Sequence, residues 1–305
     1  MLNMTREDAI KEFKIRLNSI KDTYSIVGLK TKDKKVIIPS HIDGRQVYLP
    51  KNSAGLFKDC DTLQSIDFSN LKSTSNVTDI SAMFENCYAL KTVNFKGFDT
   101  SNVKNMRSLF ADCNSLEKVD LSGFNTSEVE DMSYMFFKTN IKTLSFKNFD
   151  TSRIKSMRSM FSGCRSLTTL DISNFDTSNT KDMSSMFKVC TALTTLDISN
   201  FDTSNVTDMS GMFFQCESLK TLGLSNFNTS NVADMNTMFF QCESLKILDL
   251  SNFDTSNVTD KHYMFTDCTS LQSLDVSNFN ISQVTTMKGM FKDCNPEIIP
   301  YWYEI

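Results

Sequence analysis

Along most of the chain a short alternation of apolar and polar residues is followed by a polar turn, then by apolar residues three and four apart. In residues 193–198 the alternation predicts a short strand, with Leu196 and Ile198 facing inward and Asp197 outward. Asn200, Phe201, Asp202, Thr203, Ser204 and Asn205 follow, rich in side chains that bond nearby backbone amides and favour turns. Val206, Met209, Met212 and Phe213 then recur at spacings of three and four. This second segment suits either a helical turn or a second short strand leading into a 3₁₀ turn.

The pattern is periodic, and the cysteines mark its period. Cys60, Cys87, Cys113, Cys164, Cys190, Cys216, Cys242, Cys268 and Cys294 lie 27, 26, 51 and then five times 26 residues apart. The gap of 51 holds two copies, with Thr139 where a cysteine is missing, and a phenylalanine stands three residues before each of these positions. A 26-residue unit cannot bury its own apolar face, so successive copies must stack as coils about 4.8 Å apart. Stacking turns each repeat position into a column. One predicted interior column runs from Leu71 through Phe98, Phe124, Phe149, Phe175, Phe201, Phe227 and Phe253 to Phe279. Another is Met83, Leu109, Met135, Met160, Met186, Met212, Met238, Met264 and Met290.

The two ends depart from the repeat, as capping segments do. Residues 1–50 are expected to form an N-terminal cap of helix and β-hairpin, residues 51–294 a solenoid of nine to ten coils, and residues 295–305 a capping tail. Thr5 and Asp8 resemble a helix start, and Ile10, Phe13, Leu17 and Ile20 continue it as one apolar stripe. Two apolar runs around Asp43 and Gly44 signal the hairpin. Tyr301, Trp302 and Tyr303 are expected to cover the open face of the last coil.

The repeat unit, LDLSNFDTSNVTDMSxMFxxC in its fullest copies, closely resembles the BspA-like leucine-rich-repeat family, in the 26-residue variety found in mycoplasmas, lactobacilli and other low-GC bacteria. The resemblance covers residues from about 55 to 294, and the IPSHIDGRQV segment is similar to the family's first coil. It implies a repeat solenoid, a right-handed leucine-rich-repeat-like coil with short parallel β-strands and 3₁₀ or helical turns. For function it implies a non-enzymatic surface or secreted protein, of a family linked to adhesion and host-protein binding. The first residues, MLNMTREDAIKEFK, carry charges where an apolar signal stretch would lie, and no lipobox cysteine precedes Cys60. An intracellular or exported interaction module without a surface anchor is therefore the alternative expectation.

Composition adjusts this reading at three points. Twenty-five Phe and seventeen Met among 305 residues are absorbed by the interior columns, and no apolar run reaches the ~20 residues needed to span a membrane. Residues 1–50 carry ten basic and six acidic side chains, so a chain of net charge −4 holds −8 in the remainder, which argues against nucleic acid as a partner. Nine cysteines cannot pair completely, and about 5 Å between rungs exceeds the ~2.05 Å of a disulfide, so reduced, buried thiols are expected.

Catalytic, cofactor and metal sites are not expected. His41 and His262 are the only histidines, and no Ser–His–acid arrangement, HExxH motif, closely spaced cysteine pair or phosphate-binding glycine loop is present. Two acidic columns face outward: Asp67, Asp120, Asp171, Asp197, Asp249 and Asp275, then Asp79, Asp131, Asp182, Asp208, Asp234 and Asp260. The second column is expected to cap backbone amides. Candidate binding positions are those that vary between copies. The position after the core phenylalanine is Lys58, Glu85, Ala111, Phe137, Ser162, Lys188, Phe214, Phe240, Thr266 and Lys292, which tolerates charge and should be exposed. Phe214 and Phe240, on adjacent coils, would form an apolar patch for a protein ligand, with Phe137 at the equivalent place elsewhere. Lys104, Arg107, Arg153, Lys155, Arg158, Arg165 and Lys181 would form a basic ridge able to hold an acidic protein or a sulfated glycan.

Overall fold

The computed structural model describes residues 2–303. The chain divides into two compact units, residues up to 140 with 148–150, and residues 141–147 with 151 onward.

The first unit opens with strand β1 (Asn3–Met4) and helix α1 (Arg6–Glu12). The Asp8 N–H donates to the Thr5 hydroxyl at 3.1 Å, as the helix-start signal implies. The helix then stops, and the expected stripe does not form: β2 (Phe13–Asn18) pairs antiparallel with β3 (Thr23–Leu29). Phe13, Ile15 and Leu17 alternate as well as recurring at helical spacing, and the partner strand selects the alternation. Phe13 is buried, whereas Ile10, Leu17 and Ile20 are exposed. β4 (Lys35–Ile37), β5 (His41–Ile42) and β6 (Arg45–Tyr48) follow, giving a sheet in the order β1-β5-β6-β3-β2. Asp43 and Gly44 both have positive φ, +48° and +76°, which suits a type I′ turn between β5 and β6.

Coils begin where β4 pairs in parallel with β7 (Ser65–Asp67), and β7 with β8 (Thr92–Asn94). In the second unit β9 (Thr143–Ser145) pairs with β10 (Thr169–Asp171), and β11 (Ile247–Asp249) with β12 (Ser273–Asp275), again in parallel. Leu144 lies opposite Leu170 and Leu248 opposite Leu274, so one repeat separates partners. Copies without a paired strand keep the alternation: Leu196 and Ile198 are buried and Asp197 is exposed.

The opposite side of each coil is a single parallel bridge followed by tight turns, which decides between the two readings of that segment. Asp182, Asp208 and Asp234 bridge in succession. Beyond each bridge, amides alternate between two tasks. Gly211 and Phe213 donate to Asn236 and Met238 of the next coil, whereas Met212 and Phe214 donate three residues back, to Met209 and Gly211. The second set closes tight turns, and Gly211 and Gln215 sit in the left-handed region at +58° and +56°. The equivalent non-glycine residues Thr237 and Gln241 share that backbone, at +52° and +55°.

Every residue of the two predicted interior columns is buried. The third, Phe161, Phe187, Phe213, Phe239, Phe265 and Phe291, stacks at 5.3–5.8 Å between centroids, and Phe57, Phe84, Phe110 and Phe136 do the same at 5.6–5.7 Å. Buried polar columns are paired along the stack. Thr203 donates to the Asn228 carbonyl at 2.9 Å and accepts the Asn228 N–H at 2.8 Å. The nine cysteines are free, seven of them buried, with Cys60 and Cys294 half-buried. Cys190, Cys216, Cys242 and Cys268 each point Sγ at the core phenylalanine carbonyl of the preceding coil, at 3.1–3.2 Å. Thr139 instead donates to Phe136 of its own coil at 3.0 Å.

At the far end of the second unit, a 3₁₀ turn (Pro296–Ile298) leads into the tail. Tyr303 and Trp302 meet the ring of Phe291 at 4.9 and 6.3 Å, as a cover for the last coil should. Tyr301 does not take part: it is 98% exposed, and of the three only Trp302 and Tyr303 meet Phe291.

Candidate functional site

The columns that vary between copies lie on the tight-turn side. The position after the core phenylalanine is less uniform than its sequence suggests. Lys58 and Lys292 are exposed, Glu85, Phe137, Lys188, Phe214 and Phe240 are half-buried, and Ala111, Ser162 and Thr266 are buried. The three buried residues are the short ones, Ala, Ser and Thr, whereas the phenylalanines and charged side chains reach solvent at least in part.

In the second unit Phe214 and Phe240 stack face to face, 4.7 Å between centroids and 8° from parallel. Lys188 Nζ sits 4.2 Å over the ring of Phe214, closing that end of the stack with a cation. A polar rail runs beside the rings: Gln215 donates to Gln241 at 2.6 Å, and Gln241 to Asp267 at 3.2 Å. The facing sides of the two rings and the outer face of Phe214 are occupied, leaving a half-buried apolar ridge bounded by an ammonium, two amides and a carboxylate. In the first unit Phe137 meets Tyr134 edge to face at 5.7 Å, Arg107 lies 4.8 Å over Tyr134, and Lys138 Nζ lies 4.8 Å over Phe137. The same column thus carries an aromatic and cationic cluster in each unit.

The basic residues are all exposed and are divided between the two units. Lys104 and Arg107 belong to the first unit, where Arg107 also pairs with Asp131 at 3.8 Å. In the second unit Lys155 and Lys181 are neighbours in one column, joined by the Lys181 N–H to Lys155 carbonyl bond at 2.9 Å. Arg158 reaches across two coils, donating to Ser184 at 2.9 Å and approaching Asp182 and Asp208 at 3.8 and 3.9 Å. Arg153 and Arg165 are exposed in the same unit. Arg107 and Arg158 occupy equivalent repeat positions beside the second acidic column, so part of the basic charge neutralises that column.

The acidic columns serve the backbone. Asp182 and Asp208 accept the N–H of the residue two further on at 2.9 Å, the expected capping role, and Asp197 and Asp249 of the first column do the same at 3.0 Å. The hydroxyls of Ser199 and Ser251, then their N–H groups, hold the Asp197 and Asp249 carboxyls below the usual range. A third column, Asp176, Asp202 and Asp254, makes the same turn. It was legible in the repeat as the aspartate before Thr-Ser.

Two features escaped the sequence reading. Lys188, Gln215, Gln241 and Asp267 frame the ring pair, and although Lys188 stands in the varying column, its place over the ring and the side-chain rail depend on side-chain direction. Lys261 replaces a core methionine and is fully buried, donating to the Val258 and Asn280 carbonyls at 3.1 Å each. Burial pushes its pKa down to about 8. Beside it His262 Nδ1 lies 2.5 Å from Asp260, with its ring edge on Tyr263, so the histidine is half-buried and partnered. Among the described residues no cluster of three or more potential metal ligands occurs, and no helix is long and apolar enough to cross a membrane.

Parallel in-register coils, an alternating apolar segment in each period and stacked interior columns define a leucine-rich-repeat solenoid. The chain belongs to the family described as "Mycoplasma protein of unknown function, DUF285", matched over residues 51–145, 137–222 and 219–297. That family is BspA-like, as the repeat unit implies. Solved structures similar to the chain include a leucine-rich-repeat protein of T. pallidum, 18% identical over 60% of this chain and 88% of that one, with a TM-score of 0.39. A leucine-rich cell surface protein of Faecalibacterium prausnitzii is 17% identical, covering 89% and 94% of the two chains at a TM-score of 0.37. A leucine-rich-repeat protein of Eubacterium ventriosum is 14% identical over 96% and 95%, at 0.36. Among curated proteins, none is similar to the chain.

Proposed function

We propose that this repeat scaffold is a non-enzymatic binding protein of the bacterial surface or secreted space, adhesin-like, which engages a protein ligand through the Phe214–Phe240 ridge. The observation that carries this reading is the stacked, half-exposed ring pair itself, held rigid by the coils and bounded by Lys188, Gln215, Gln241 and Asp267. Apolar ridges with a polar rim, fixed before binding, are the usual anchors of protein interfaces. Solenoids present such columns over a long surface without needing a catalytic pocket.

Replacing both rings, Phe214→Ser with Phe240→Ser, tests the site. The immobilised variant should lose capture of purified host extracellular-matrix proteins that the unchanged chain retains, with the thermal transition still cooperative. Equal capture by both proteins would remove the ridge from the reading. Surface exposure is tested separately by protease treatment of intact cells, where survival of the protein would place it inside.

A further inference from the structure

The side chains that close one coil against the next include an asparagine column. In the second unit Asn200 donates its amide to the Ile172 and Phe175 carbonyls of the preceding coil, at 3.1 and 2.7 Å. Asn226 does so to Ile198 and Phe201 at 3.1 and 2.7 Å, and Asn252 to Leu224 and Phe227 at 3.0 and 2.8 Å. The Phe175, Phe201 and Phe227 carbonyls are thereby satisfied by the next coil, whereas Asn278 donates to the Ser251 carbonyl instead.

The first unit breaks the column twice, at Gly97 and Gly123. Gly123 stands where an asparagine would reach the Phe95 and Phe98 carbonyls. Phe95 O accepts only the Phe98 N–H, at 2.8 Å, and Phe98 O has no protein donor among the described residues. A Cβ added at Gly97 or Gly123 would meet nothing within 4 Å. The missing side chains leave an open cleft of about 630 Å³, lined by both glycines, Phe95, Phe98, Asp99 and Asp120. Lys96 is the single cation among its lining residues, against two carboxylates. An unbonded carbonyl facing a cleft favours a hydrogen-bond donor there, and the carboxylates favour a positive one.

We propose that this cleft binds the guanidinium of an arginine side chain from a partner protein, whose N–H groups take the place of the absent asparagine amide on Phe98 O and Phe95 O while Asp120 supplies the countercharge. A planar fork of donors spans two carbonyls as a carboxamide does, and carries the charge a carboxamide lacks. The site is separate from the Phe214–Phe240 ridge, which lies in the other unit.

The test uses Nα-acetyl-arginine amide as probe, titrated into the full chain and followed by amide NMR shifts. The Gly97, Phe98 and Gly123 resonances should move, with a dissociation constant on the order of 1 mM. Gly123→Asn should refill the column: Gly123 does not have the positive φ that would strain a side chain. Its melting temperature should rise while probe affinity falls at least tenfold, and Asp120→Asn should weaken the probe about threefold or more. Nα-acetyl-lysine amide should shift the same resonances far less. The proposal is overturned by absent shifts in the unchanged chain, by equal affinity in Gly123→Asn, by a lowered melting temperature in that variant, or by equal binding of the lysine compound.

Discussion

The N-terminal sheet and the coils use the same apolar residues under different rules. In the coils Phe213 lies between Phe187 and Phe239, 5.8 and 5.7 Å away, because each neighbouring copy presents the same residue at the same height. In the sheet Leu17 stands opposite Tyr24, yet Tyr24 is buried and Leu17 exposed. Nothing repeats there, so β2 finds its place by pairing with an unrelated strand, and one of its three apolar residues, Leu17, is left facing out. A repeated sequence supplies its own packing partners, whereas a single-copy segment takes whatever the fold brings to it.

Removing one rung from each region should separate the two rules. Phe213→Ala empties a fully buried ring site and is expected to cost about 3–5 kcal/mol, read as the fall in a urea or thermal unfolding midpoint. A loss below about 1 kcal/mol would mean that the stacked column does not carry the fold.

Lys261 is a coil position that departs from its column, and its replacement should stabilise. Its folded pKa, about 8, lies below the ordinary 10.5, so the unfolded chain holds the proton more tightly. The resulting penalty is fully present below pH 8 and is relieved as pH rises toward 10.5. It amounts to about 3 kcal/mol at neutral pH. Burial raises the thiols of Cys190, Cys216, Cys242 and Cys268 in the same unit, so the unfolded chain ionises these first and stability falls above about pH 8.5. That loss is common to both proteins. The gain of Lys261→Met over the unchanged chain should therefore be greatest below pH 8 and shrink by pH 10; a constant gain would contradict the buried charge.

Thr203→Val keeps the shape and removes a hydroxyl that both donates to and accepts from Asn228. It is expected to cost about 1–3 kcal/mol by the same unfolding measurement, since both backbone partners are left unpaired. At the other extreme Ile20→Ala, at a residue 97% exposed, should change stability by no more than about 0.5 kcal/mol. A loss as large as that of Phe213→Ala would restore the helical stripe that its spacing suggests.

What could be read in advance follows the same division. The interior columns, the inward Leu196 and Ile198 and the capping aspartates were legible because the copies repeat each local choice, and the hairpin at Asp43 and Gly44 was legible from its turn residues alone. The end of α1 was not, since Phe13, Ile15 and Leu17 satisfy the strand period as well as Phe13 and Leu17 satisfy the helical one. At the candidate site the pairing of Phe214 with Phe240 was legible from their matching repeat position. Lys188 over the ring and the Gln215–Gln241–Asp267 rail were not, because side-chain direction decides them. The approach of Arg158 to Asp182 and Asp208 was not legible either, since these neighbours are 24 and 50 residues away in sequence.

The amino-acid sequence by itself determined the 26-residue period, the identity of the buried columns and the register in which copies stack, since any slip of register would bring polar positions against apolar ones. Only the tertiary structure decided which exposed residues act together. Contacts between coils depend on rotamers and on the height of flanking side chains, which no spacing encodes. It also decided what an absence means. Gly123 reads in sequence as one more substitution in a varied column, and becomes a cleft with an unbonded carbonyl only when the coil before it is in place.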